Sequence, residues 1–106
     1  MKNLFVLILF SLVVVLPALA QDETSVFRTK AEQGQAVAQF NLGVMYAKGN
    51  GVPKDLVQAH MWFNLSGAKG TEEAKLKLET LEKQMSAEQI AEAMKLARDR
   101  WAKASP

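Results

Sequence analysis

Residues 36–70 read AVAQFNLGVMYAKGNGVPKDLVQAHMWFNLSGAKG, and the fold turns on how this stretch is spaced. Ala38, Leu42, Met45 and Tyr46 recur at i, i+4, i+7 and i+8, the signature of one helix face. Ala59, Trp62, Phe63 and Ser66 recur at i, i+3, i+4 and i+7 and predict a second helix. Gly49 suits the position just past a helix C-terminus, where φ must be positive. Gly51 allows a tight bend, Pro53 stops the first helix from continuing, and Asp55 is a natural N-cap for the second. Two amphipathic helices on so short a loop must lie antiparallel and share their faces. The small residues Ala38, Gly43 and Ala59 let the backbones approach, while Tyr46, Trp62 and Phe63 fill the space between.

From Glu32 to about Gly70 this pattern resembles the Sel-one-like repeat, a helix-turn-helix unit related to the tetratricopeptide repeat. The resemblance rests on Ala38, Leu42-Gly43, Tyr46, Gly49, Gly51-Val52, Asp55, Ala59 and Trp62 keeping register together. It departs at Ser66-Gly67, where the family carries two alanines. It implies an all-α, α/α helix-turn-helix fold, a short solenoid, and an interaction module without chemistry of its own. Its partner would be another protein, which the sequence does not name. In such solenoids the first helices of successive units line a concave face. Gln39, Val44 and Lys48 are the candidate partner surface on that face, with Phe40 and Asn41 beside them. Phe40 has a competing role, packing against the segment that precedes the repeat.

Working outward to the N-terminus, Met1 to Ala20 has the layout of a secretory leader. Lys2 is a short positive region, Leu4 to Leu16 is apolar apart from Ser11, and Ala18-Leu19-Ala20 is a small-x-small cleavage site. The apolar run falls short of the ~20 residues that a spanning helix needs. We therefore expect cleavage after Ala20 and a periplasmic or secreted chain that does not insert in the membrane. An uncleaved N-terminal anchor is the alternative. Residues 21–34 read as an N-terminal cap helix from Asp22 to Gln33, with Val26, Phe27 and Lys30-Ala31 inward. Residues 35–70 are the repeat. Residues 71–106 read as a degenerate repeat helix followed by a capping helix.

In that last segment Thr71 is placed to N-cap a helix with Glu72 and Glu73 in its first turn, favourable beside the positive dipole end. Ala74, Leu78, Leu81 and Met85 keep helical spacing; Leu76 lies off the stripe. Glu79 and Lys83 are spaced to pair on the outside. Ser86-Ala87-Glu88-Gln89 is a capping box. It opens a helix to about Lys103 with Ile90, Met94, Ala97 and Trp101 as its stripe. From this we expect Trp101 to be buried against the repeat. Lys95, Arg98, Arg100 and Lys103 share this helix with Glu92 and Asp99, which predicts a solvated, internally paired face.

Composition narrows the function. Without Lys2 the chain has 12 basic and 11 acidic residues, so no basic stripe marks it for nucleic acid. It has no cysteine, which excludes disulfides and thiolate zinc. His60 is the single histidine, and no second His or Cys stands at ligand spacing. No serine has a nucleophile-elbow context. Gly49-Asn50-Gly51 has no Walker lysine or preceding strand. Asn64-Leu65-Ser66 matches a glycosylation sequon but falls inside a predicted helix. No enzyme, cofactor or metal is expected. The competing readings are a self-associating envelope protein and a cell-envelope enzyme.

Overall fold

The computed structural model describes residues 24–104. The chain folds as a helical solenoid: α1 over residues 24–32, α2 Ala36–Lys48, α3 Leu56–Ala68, α4 Glu72–Glu82 and α5 Ala87–Ala104. No strand occurs among the described residues. Residues 1–23, which include the expected leader and the expected start of the cap helix at Asp22, and residues 105–106 lie outside them.

The α2–α3 turn is built from local chemistry. Gly49 takes φ +73°, and its N–H donates to the Met45 carbonyl at 2.8 Å. That conformation strains any residue with a Cβ. The Asp55 N–H then reaches back to the Tyr46 carbonyl at 3.0 Å and closes the loop. The Asp55 carboxylate accepts from the Gln58 N–H at 3.1 Å, which caps α3. At the start of α5, Gln89 N–H donates to Ser86 Oγ at 3.1 Å and Ser86 N–H to Gln89 Oε1 at 2.9 Å, closing the capping box. Thr71 occupies the N-cap of α4 but makes no side-chain cap bond. Its N–H instead donates to the Ser66 carbonyl at 3.3 Å, holding the tight α3–α4 connection.

The centre of the molecule is α3, which packs on α2, α4 and α5. Ala59, His60, Met61, Trp62, Phe63, Leu65, Ser66 and Gly67 are all buried, so this helix is enclosed nearly all round. Its two sides feed two cores. Met61, Trp62 and Leu65 join Ala31, Ala38, Leu42 and Ala97. Ala59 and Phe63 join Ala74 and Leu81, with Phe40, Val44, Leu78 and Met85 partly buried against them. Each large apolar side chain so enclosed contributes roughly 1.5–3 kcal/mol. Ser66 and Gly67, where the family pattern breaks, both have a use. Ser66 Oγ donates to the Ala36 carbonyl at 2.7 Å, tying the end of α3 to the start of α2. A methyl on Gly67 would stand 3.2 Å from the Lys75 side chain, so the glycine makes room for α4.

Several expectations are corrected. Trp101 is 46% exposed and Met94 is also exposed. The inward positions of α5 are Ala93 and Ala97, with Ile90 and Leu96 partly buried. Alanines allow α5 to lie close on α3, which moves the bulky side chains to the flanks. In α1, Val26 and Lys30 face outward, while Ala31 is buried and Phe27 half-buried. Gln39 is not on an outer face: it is 3% exposed, and its Nε2 donates to the Ala31 carbonyl at 3.1 Å. Phe40 packs on Phe63, ring centroids 5.6 Å apart at 47°, beside the core formed by Ala59, Ala74 and Leu81. The ion pair on α4 is Lys75–Glu72 at 3.1 Å rather than Glu79–Lys83. Among the described residues the Glu92–Lys95 and Asp99–Lys103 pairs do not close either, since exposed pairs barely repay their lost rotamer freedom.

Candidate functional site

Two helices frame the outer groove. Phe40, Val44 and Lys48 recur every four residues along α2 and form one wall. Glu73, Leu76, Lys77 and Thr80, at i, i+3, i+4 and i+7, form the α4 wall. The space between them is about 490 Å³. A second depression of about 160 Å³ shares Val44, Lys48, Lys77 and Thr80 and reaches down to Leu56, Phe63 and Leu81. The two make one trough with Phe63 beneath it. Leu76, the residue off the α4 stripe, is 63% exposed at its lip. An exposed leucine beside partly buried Phe40 and Val44, ringed by Lys48, Lys77 and Glu73, is the composition of a docking surface.

Three of the five candidate partner residues, Phe40, Val44 and Lys48, thus line the trough. Asn41 is half-buried outside its lining, and Gln39 lies under the opposite side of α2. The α4 wall was missed by sequence reasoning, although Leu76 standing off its stripe was the available signal.

The signature residues have structural positions. Ala38, Leu42, Gly43, Val52, Ala59 and Trp62 are buried. The Tyr46 hydroxyl accepts from Arg28 at 3.4 Å and links α1 to α2. Gly49 and Gly51 have positive φ. Asp55 caps α3.

His60 is not among the residues that line the trough. It is 1% exposed, and its Nε2 lies 2.8 Å from Glu82 Oε1 on α4. No partner stands near it along the chain; the fold supplies one across 22 positions. With Nε2–H donating to Glu82, Nδ1 is left buried without a hydrogen bond. Among the described residues no nucleophile is hydrogen-bonded to this pair, and its geometry is that of a helix-to-helix tie. Among the described residues no group of His, Asp or Glu is arranged to hold a metal ion, and no helix is long and apolar enough to cross a membrane.

Comparison with known proteins agrees with this architecture. The Sel1 repeat profile matches residues 36–71. Over 55 residues the chain is 49% identical to the secretory immunoglobulin A-binding protein EsiB of Escherichia coli O6:H1, covering 52% of this chain and 11% of that protein. A crystal structure of a protective antigen present in uropathogenic Escherichia coli, displaying an SLR fold, matches with TM-score 0.75 and 32% identity. That match covers 81% of this chain and 19% of the antigen, so the chain spans a small part of either relative. Sel1 repeats generally mediate protein–protein interaction. With the repeat, the shared sequence and the shared fold all falling on the α2–α3 unit and its neighbours, the chain carries a Sel1 repeat over residues 36–71 and shares the helical solenoid fold of the SLR structure.

Proposed function

We propose that the chain is a small exported protein-interaction module, an adaptor or assembly part without catalytic chemistry, which docks a protein partner in the α2–α4 trough. The observation that supports it most is the apolar lip: Leu76 is exposed above partly buried Phe40 and Val44, with cations at Lys48 and Lys77. Such a surface holds an apolar anchor at its centre and polar contacts at its rim. In this reading residues 1–20 are a cleaved leader and residues 21–34 cap the repeat at 35–70. Residues 71–106 then supply a degenerate repeat helix, α4, and a covering helix, α5.

The immunoglobulin A-binding relative from Escherichia coli makes secretory immunoglobulin A the first partner to test. The chain from Gln21 onward is immobilised and probed with secretory immunoglobulin A and with envelope extract. The reading predicts a captured protein whose binding falls at least about tenfold in Leu76→Asp, the effect of burying an unpaired charge at an apolar anchor. Capture indifferent to Leu76→Asp contradicts it. N-terminal sequencing of the exported chain should begin at Gln21; an intact Met1 in the membrane fraction contradicts cleavage.

Self-association is the second reading. It draws on the N-terminal end, where Val26 and Val37 are 50% and 72% exposed. A mass by light scattering that rises with concentration in the wild type and not in Val37→Asp would favour it.

A further inference from the structure

A second cavity lies away from the trough and shares none of its lining residues. It has a volume of about 410 Å³ and sits among the C-terminal ends of α1, α3 and α5. Two of its lining residues carry unsatisfied buried polar atoms. Gln39 spends its Nε2 on the Ala31 carbonyl, which leaves Oε1 as an acceptor without a donor. Trp62 Nε1–H is a donor without an acceptor. Both side chains are more than nine-tenths buried. Unpaired buried groups are costly, and natural structures keep few of them without a use.

The charges on the walls are mostly positive: Lys69, Arg100 and Lys103 against Glu32. Helix C-termini attract cations on their own account, and Lys69 answers that need by donating to the Gly34 carbonyl at the end of α1. Among the described residues, neither Arg100 nor Lys103 donates a hydrogen bond to a helix end. The Arg100 guanidinium lies 4.5 Å over the Trp62 ring and covers it. Both unpaired atoms are closed to solvent in this arrangement, so ligand entry requires the exposed Arg100 side chain to turn toward the rim, which keeps its charge at the entrance. Trp101 and Leu65 complete the apolar wall.

We propose that this cavity binds an amide joined to a carboxylate, the chemistry of a polypeptide C-terminus or of a free N-acyl amino acid. The ligand amide N–H donates to Gln39 Oε1, and its carbonyl accepts from Trp62 Nε1–H. The carboxylate is held by Arg100 and Lys103, and the side chain lies against Trp101 and Leu65. The exposed position of Trp101 then has a use that core packing does not give it. This site goes beyond the docking trough and does not depend on it.

Both tryptophans of the chain line this cavity, so their emission reports on it directly. The mature chain is titrated with N-acetyl-phenylalanine, with an N-acetylated tetrapeptide ending in phenylalanine, with N-acetyl-phenylalaninamide, and with 3-phenylpropionate. The proposal predicts a saturable change with the first two. The uncharged amide and the acid lacking an N–H should each bind at least about tenfold more weakly. Tighter binding of the tetrapeptide than of N-acetyl-phenylalanine supports a chain end as the natural source. Lys103→Met, at an exposed position that folding does not need, should weaken the carboxylates and leave the amide unaffected. Gln39→Leu should weaken both amide-bearing carboxylates relative to 3-phenylpropionate. Leu76→Asp should change nothing here. No saturable change with either carboxylate-bearing amide, equal affinity for all four probes, or indifference to Lys103→Met overturns the proposal.

Discussion

The ring of Phe63 occupies the place where a side chain on Gly43 would have to stand: a methyl there would lie 2.7 Å from both Cδ1 and Cε1. Gly43 is therefore a packing requirement and not a flexible joint, since it sits inside α2 with ordinary helical φ. Phe63 in turn supports Phe40 and forms the floor of the trough. Gly43→Ala adds a methyl that overpacks the site by about 1–3 kcal/mol. The gain in helix propensity returns at most about 1 kcal/mol. A lower urea midpoint, by a net ~1–2 kcal/mol, is the expected outcome. An unchanged midpoint would mean that the ring can reseat without loss.

The two tryptophans should respond very differently to truncation. Trp62 is 2% exposed between α2, α3 and α5, so Trp62→Ala should cost about 3–5 kcal/mol. Trp101 is nearly half exposed, and Trp101→Ala should cost roughly 1 kcal/mol. Thermal unfolding of the two variants side by side checks this order. A Trp101 variant as unstable as the Trp62 variant would mean that α5 is anchored by its end and not by Ala93 and Ala97.

The His60–Glu82 tie joins a buried imidazole to a carboxylate that is 42% exposed. His60→Ala empties a packed position and should cost about 2–4 kcal/mol. Glu82→Ala should cost only about 1 kcal/mol, because water can reach the vacated side of the pair. A double-mutant cycle should return a coupling of about 0.5–1.5 kcal/mol. Zero coupling would show that the 2.8 Å contact contributes nothing and that His60 matters through its volume alone.

Much of the fold was legible because its signals are local. Gly49, Asp55 and the Ser86–Gln89 box each fix a helix end within four residues, and each takes the conformation its chemistry implies. The faces of α3 and α4 were legible for the same reason. What failed depended on distance. The α5 stripe was read through its bulkiest members, Met94 and Trp101, but the surface it meets on α3 already holds Trp62 and Leu65 and admits alanine. Gln39 looked like an outward polar residue because nothing local shows that the Ala31 carbonyl awaits it. The Glu82 partner of His60 and the α4 wall of the trough lie one helix away. Half of the candidate surface was therefore visible in the α2 sequence, while the other half required the packing angle of α4.

The trough itself is tested most directly by site-specific photo-crosslinking in living cells that export the chain. A photoreactive residue is placed in turn at Leu76, at Phe40 and at Glu92, which is exposed on α5 away from the trough lining. The account predicts one discrete adduct with a second protein from Leu76 and Phe40, and none from Glu92. An adduct that forms from Glu92 and not from Leu76 would contradict it, and would move the partner surface from the α2–α4 trough to α5.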